Sequence, residues 1–196
     1  MDNLFQTTKT HFNRFKSLPN LEIELRLGKK NRNLFDTNLG EEKFKKIKEA
    51  LDNFQTWEKV THSNITSYFH KEYRYDYNED SDEASTIIKK KLIKTDFVLP
   101  DQPLDVRLSI AQEIPQPDFN VEDIEMEYVR NKIRTSYIRK NLSLDLTEVT
   151  GNPDDMDDES DKSYELEMEI IDISKIKTEN VLYNIIYKVF CILKTL

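Results

Sequence analysis

Glu165, Glu167 and Glu169 occupy every second position of the segment Tyr164-Glu165-Leu166-Glu167-Met168-Glu169-Ile170, and Glu22 and Glu24 do the same in Leu21-Glu22-Ile23-Glu24-Leu25-Arg26-Leu27. In an extended strand successive side chains point to opposite faces, so the glutamates line one surface while Leu166, Met168 and Ile170 line the other. One such strand is simply a half-buried antiparallel strand with a solvated acidic face. Two of them, more than a hundred residues apart and accompanied by basic strands of the same alternation, point to a metal, because like charges held in one place need a cation. Arg130, Lys132, Arg134 and Ser136 alternate with Val129, Asn131, Ile133, Thr135 and Tyr137, which sets three cations about 7 Å apart along one face. That spacing suits a polyphosphate. Asp105, Arg107, Ser109 and Glu113 share one parity against Val106, Leu108 and Ile110, and Asp145 and Thr147 stand opposite Leu144 and Leu146. Lys89-Lys90-Lys91 interrupts an apolar run of Ile87, Ile88, Leu92 and Ile93.

The elements that must carry these residues read as mainly β. Strand-like alternation covers residues 21–27, 56–64, 66–77, 84–96, 104–113, 125–139, 142–148 and 164–170, which makes eight strands. Helical spacing predicts a helix over residues 3–18, with Leu4, Phe12 and Phe15 buried and Pro19 closing it, and a second over 40–54 on Phe44, Ile47 and Leu51. The apolar stretch 181–196 is too short for a membrane span and carries Asn184, Lys188 and Lys194, so it reads as a packed helix. With three glycines in the chain, tight primed turns should be few and the connections longer polar loops. The clearest loop is 154–161, after Gly151-Asn152-Pro153; it lacks the oxygen spacing and turn glycine of a calcium loop and reads as a solvated connection.

A chain of 196 residues without an interdomain linker or repeat reads as a single domain, 1–196, or one cut from a longer chain. One cysteine, Cys191, excludes an internal disulfide and points to a reducing, intracellular setting; no charged-then-apolar leader or span is seen, so neither secretion nor a membrane is expected. The formal net charge of −8 speaks against a nucleic-acid protein, but setting aside the six acids between Asp154 and Asp161 leaves −2 for the remainder. Any RNA contact is then local, made by a basic patch.

Eight alternating strands can close into an antiparallel barrel, with the apolar faces covered outside by helices and the charged faces lining a tunnel. An interior of that kind is costly without a ligand, and a triphosphate with a divalent cation satisfies it. The same alternation also fits a sandwich whose charges lie outside and pair across strands.

The ordered segments LEIELRLG, IIKKKLI, LDVRLSIAQEIPQP, VRNKIRTSYI, LSLDLTEV and YELEMEI, covering about residues 21–170, resemble the fungal and large-DNA-virus type of RNA 5′-triphosphatase, within the triphosphate tunnel metalloenzymes of mRNA capping. The resemblance implies a closed eight-stranded antiparallel barrel around a charged tunnel, with flanking helices. It implies that Glu22, Glu24 and Glu169 ligate Mg²⁺ or Mn²⁺, oxygen ligands being what hard cations prefer, and that Glu165 and Glu167 orient basic residues and metal-bound water. Arg107, Lys132 and Arg134 fall on positions that hold phosphate, with Arg130 beside them and Arg26 on the same segment as the first glutamates. Glu113 matches the acid that positions the attacking water, and Asp145 supports the network. Two positions depart from the pattern. Where the family carries an arginine-bearing basic strand, this chain has Lys89, Lys90 and Lys91: spacing to Asp105 favours Lys90 as the inward residue, parity with a basic pair favours Lys89 and Lys91, and both assignments stay open. Ser143 stands where fungal members have an arginine, and Arg74 is a candidate to replace that cation.

The function so implied is removal of the γ-phosphate from 5′-triphosphate RNA to leave a 5′-diphosphate, the first step of capping. NTPs are further candidate substrates, and a guanylyltransferase is the expected partner, in cis or in trans. The chain is then expected in the nucleus, a viral factory or a virion, as a monomer or weak homodimer. The alternatives are a tunnel phosphohydrolase for NTPs or inorganic tripolyphosphate, and a non-catalytic polyphosphate-binding domain of a capping assembly.

Overall fold

The computed structural model describes residues 1–117, 127–151 and 162–196. The predicted loop 154–161 and the first residues of the strand expected from 125 therefore lie outside the described residues. The elements are helix α1 (Asp2–Phe15), strands β1 (Leu21–Asn31) and β2 (Leu34–Asp36), helix α2 (Glu41–Asp52), strands β3 (Lys59–His70), β4 (Tyr73–Asn78), β5 (Glu83–Phe97), β6 (Asp105–Pro115), β7 (Tyr128–Arg139), β8 (Leu142–Thr150) and β9 (Ser163–Ile170), and helix α3 (Glu179–Leu193). Around the sheet the order is β1-β6-β5-β4-β3-β7-β8-β9, every pairing is antiparallel, and β9 returns to β1 through Glu24↔Glu169, Leu25↔Met168 and Arg26↔Glu167. The result is a closed eight-stranded barrel.

The ninth strand, β2, lies outside the barrel on the end of β1, paired through Lys29↔Asp36, Lys30↔Phe35 and Asn31↔Leu34. It is too short to show a period in the sequence. Gly28 permits the approach, since a Cβ there would collide with the carbonyl of Asp36 and the ring of Phe35.

Period-two alternation sorts β1, β6, β8 and β9 as expected, apolar residues outward and charged residues inward. The outward side chains of β1, β6, β8 and β9, among them Ile23, Leu108, Leu146 and Met168, form one core with Leu4 and Phe12 of α1, Ile47 of α2 and Leu182, Ile186 and Val189 of α3. Each such fully buried aliphatic side chain stabilises the fold by about 2 kcal/mol. Thr178 caps α3 by accepting a hydrogen bond from the Val181 amide at 3.3 Å. Among the described residues no helix is long and apolar enough to cross a membrane.

Two expectations about local structure need correction. The predicted break at Ile65 does not exist: β3 runs through it to His70, and the hairpin turns at Lys71 and Glu72. The β1–β2, β3–β4 and β7–β8 connections are two-residue turns, not long loops, and Arg32, Lys71 and Lys140 take the left-handed conformation, φ 51°, 53° and 55°, that glycine usually supplies. Long solvated side chains carry these turns at a conformational cost that the paired strands on either side impose.

A candidate active site in the tunnel

The inward faces enclose a cavity of about 340 Å³. Its wall has two ends. Because neighbouring strands are antiparallel all the way round, the C-terminal ends of β1, β3 and β5 and the N-terminal ends of β6, β7 and β9 share one mouth. The lining residues run from Glu22 to Arg26 towards that mouth on β1, from Glu113 to Arg107 on β6 and from Arg134 through Lys132 to Arg130 on β7. Carboxylates Glu22, Glu113 and Glu169 thus gather at the far end, while Arg107, Arg130 and Lys94 lie towards the mouth.

Register explains how these charges meet. Glu24 lies directly across from Glu169. Arg26 pairs with Glu167 at 2.7 Å and with Glu24 at 3.0 Å, and Arg134 reaches Glu167 at 3.3 Å and Asp145 at 3.7 Å. Burial pushes the Glu167 carboxyl up, but Arg26, Arg134 and Lys132 outweigh it and hold it down at about 2. Arg130 meets Glu165 at 2.8 Å. Lys89 sits 2.5 Å from Glu22 and 3.4 Å from Glu113, and Arg74 bridges Asp76 at 2.8 Å and Glu113 at 3.2 Å.

The remaining carboxylates are not balanced. Burial first, then the Glu24 charge, raises Glu22 to about 8; burial, then Asp145, Glu113 and Glu24, raises Glu169 to about 7. Glu22 Oε2 and Glu113 Oε1 are buried and receive no aligned hydrogen bond, although Lys89 and Arg74 lie within ion-pairing distance. Among the described residues no three carboxylates are already gathered closely enough to hold an ion, and the Lys89 ammonium stands between Glu22 and Glu113. Hard carboxylate oxygens lining one buried wall, two of them without an aligned hydrogen bond, are the chemistry that a divalent cation fits.

The sequence-predicted residues are distributed unevenly over this wall. Glu22, Glu24, Arg26, Arg74, Lys89, Lys91, Glu113, Arg130, Lys132, Arg134, Glu165, Glu167 and Glu169 all line the cavity. Lys90 does not: it stands opposite Gln112 on the exposed outer face. Leu92 is an extra residue, a bulge between the pairs Lys91↔Ala111 and Ile93↔Ile110, and it inverts the parity of everything after it. Lys89 and Lys91 therefore face inward with Lys94 and Asp96, whereas counting back from Asp96 at a period of two without the bulge selects Lys90.

Arg107 lines the cavity but is separated from Glu113 by six residues of β6, roughly 20 Å at the rise of an extended strand. Its guanidinium is clamped on Asp96 at 2.6 and 3.1 Å and lies 4.5 Å over the Phe35 ring. The hydrogen bond from Arg107, then that from Lys30, brings Asp96 down to about 2 against its burial. Asp145 is 3 % exposed and lies directly across from Glu167 on the inward face, where its carboxylate accepts from Ser143 Oγ at 2.5 Å. Asp105, of the same parity, is occupied by the amides of Lys30 and Leu99.

Asp76, Lys94, Asp96, Thr147, Phe69 and Tyr128 are site residues that sequence reasoning missed. Asp76 carried a signal, since it follows Arg74 at the strand period. Thr147 receives the Arg134 Nε at 3.1 Å. Lys132 lines the cavity, and burial lowers its ammonium to about 8.

A family model described as mRNA capping enzyme, beta chain, the mRNA triphosphatases, matches residues 28–182. That span holds every strand after β1 and leaves Glu22 and Glu24 just outside it. No curated protein matches the chain. Among solved structures, the Pct1 RNA triphosphatase of S. pombe superposes with a TM-score of 0.81 at 17% identity, over 97% of this chain and 93% of Pct1. Pct1 in complex with the Spt5 CTD gives 0.77 at 18% identity, over 97% and 94%. The Mimivirus capping enzyme triphosphatase gives 0.66 at 18% identity, over 99% of this chain and 98% of the viral one. At such identities the superpositions establish a shared fold, and the family match covers most of the chain; this protein belongs to the mRNA capping enzyme beta-chain family of mRNA triphosphatases.

Proposed function

We propose that this chain is a metal-dependent RNA 5′-triphosphatase that hydrolyses the γ-phosphate of 5′-triphosphate RNA, leaving 5′-diphosphate RNA and orthophosphate. The observation that carries the reading is the polarity of the tunnel, with a far end of under-neutralised carboxylates and a file of cations leading from the mouth towards it. Glu22, Glu24 and Glu169 are the candidate holders of Mg²⁺ or Mn²⁺, and a bound divalent ion supplies neutralisation of the terminal phosphate oxygens.

The protein's own groups divide the remaining work. Lys132, Arg134 and Arg130 grip the polyphosphate, and their partners Glu165 and Glu167 keep two of them aimed into the cavity. Glu113, itself oriented by Arg74 and Lys89, accepts a hydrogen bond from the attacking water and aligns it with the leaving diphosphate. No side chain need form a covalent intermediate, because positioning and charge stabilisation suffice for phosphoryl transfer. A guanylyltransferase, in cis or in trans, is the enzyme that would consume the product, and a nucleus, viral factory or virion is the compartment that such a step calls for.

Phosphate release from triphosphate-ended RNA, followed colorimetrically with and without Mn²⁺, tests the reading. Manganese-dependent release supports it; binding of the RNA without any release assigns the chain to polyphosphate binding. Faster turnover of inorganic tripolyphosphate than of RNA favours a general tunnel phosphohydrolase.

A further inference from the structure

The mouth of the tunnel carries two aromatic rings that phosphate chemistry does not use. Phe69 and Tyr128 are directly paired across β3 and β7, stack at 4.4 Å between ring centroids and 11° between planes, and both line the cavity. Phe69 lies two residues before the turn at Lys71, and Tyr128 opens β7, so the pair stands at the barrel end shared by the C-terminus of β3 and the N-terminus of β7. This is the mouth towards which Arg130 and Arg107 lie, opposite the end of Glu22, Glu113 and Glu169. The Lys132 ammonium lies 5.8 Å over the Phe69 ring, which joins the aromatic pair to the file of phosphate-binding cations.

Cross-strand aromatic pairs ordinarily brace a sheet, and Tyr68 and Tyr75, at 5.8 Å on the opposite face of the same region, do that here. An aromatic pair on the inner face of a charged tunnel is different, because it lies among ionic side chains and not in the apolar core that the outer faces of β1, β6, β8 and β9 form with the helices. Every nucleobase has a π-face that stacks on such rings, whatever its sequence.

Resting on the function proposed above, we infer that Phe69 and Tyr128 form a stacking platform for the base of the first nucleotide, so that the RNA enters by this mouth and its γ-phosphate reaches the acidic end. The platform separates nucleotide substrates from inorganic tripolyphosphate, which offers the cations the same phosphates and the rings nothing.

The test compares the wild type with Phe69→Leu and Tyr128→Leu, which keep apolar bulk and remove the ring, and with Tyr128→Phe, which keeps it. Two measurements are made: quenching of 2-aminopurine riboside 5′-triphosphate fluorescence on binding, which needs no turnover, and the ratio of kcat/KM for triphosphate-ended RNA to that for tripolyphosphate. The platform predicts quenching by the wild type and Tyr128→Phe, loss of most of it in both leucine variants, and a ratio that falls at least about tenfold in those variants. Equal quenching in all four proteins, or an unchanged ratio in the leucine variants, overturns it. Absence of turnover with either substrate contradicts the enzymatic reading but leaves the quenching result to decide the platform.

Discussion

Glu24 of β1 and Glu169 of β9 face each other directly across the seam that closes the barrel. Like charges in that register repel, and only cross-strand neighbours of opposite sign or a bound cation make the pairing tolerable. Arg26 neutralises Glu24 from one side at 3.0 Å, while burial, and after it the Asp145, Glu113 and Glu24 carboxylates, pushes Glu169 up to about 7. The seam that completes the fold is thus also the place where negative charge is least compensated.

Removing one of these carboxylates separates folding from activity. Glu22→Ala, Glu24→Ala and Glu169→Ala are each expected to abolish nearly all hydrolysis at saturating metal, while circular dichroism spectra stay those of the wild type. Activity above about a tenth of wild type in all three contradicts the ligand assignment.

The same groups set a pH dependence. Glu22 and Glu169, held at about 8 and 7 against an ordinary 4.5, contribute stability that is fully present below about pH 4.5 and is lost as pH rises through 7 to 8. Glu167 and Asp96, held near 2, act only below that window, and Lys132 acts above it. The metal-free melting temperature is therefore expected to fall between pH 5.5 and 7.5, on the order of a few degrees, and stabilisation by Mn²⁺ to grow over the same range because ligands must be deprotonated. Differential scanning fluorimetry checks both; a metal-free melting temperature that rises through this window goes against them. Glu169→Gln should flatten the slope.

Lys132→Ala and Arg134→Ala are expected to lower turnover by at least about tenfold, since charge-assisted contacts strengthen as charge develops on the phosphate. Because burial lowers Lys132 to about 8, kcat/KM should decline above that pH as the ammonium is lost, and Lys132→Arg should remove the decline. Neutralising the acids between Asp154 and Asp161 should leave turnover near wild type. A variant neutralised there that is as impaired as Lys132→Ala shows that the site lies elsewhere.

Alternation made most of the tunnel legible in the sequence, because a period of two places Glu165, Glu167 and Glu169, or Arg130, Lys132 and Arg134, on one face wherever the strand lies. Parity cannot say whether that face is inside; closure through Glu24↔Glu169 decides it. It also fails where the period is broken. The bulge at Leu92 left Lys89, Lys90 and Lys91 undecided and hid Asp96, the partner that holds Arg107. Lys71 in a left-handed turn gave no glycine signal, so one strand was divided at Ile65. Phe69 and Tyr128 carried no charge pattern, and only register brings them together.

The central claim, that the terminal phosphate sits at the acidic end and leaves as orthophosphate, is tested most directly by chromatography of the products from RNA labelled at the β- and γ-phosphates. Water aligned by Glu113 at that end attacks the terminal phosphorus, so the account predicts labelled orthophosphate with the β-label retained on a 5′-diphosphate RNA, and no reaction of 5′-monophosphate RNA. Labelled pyrophosphate as the main product would contradict it.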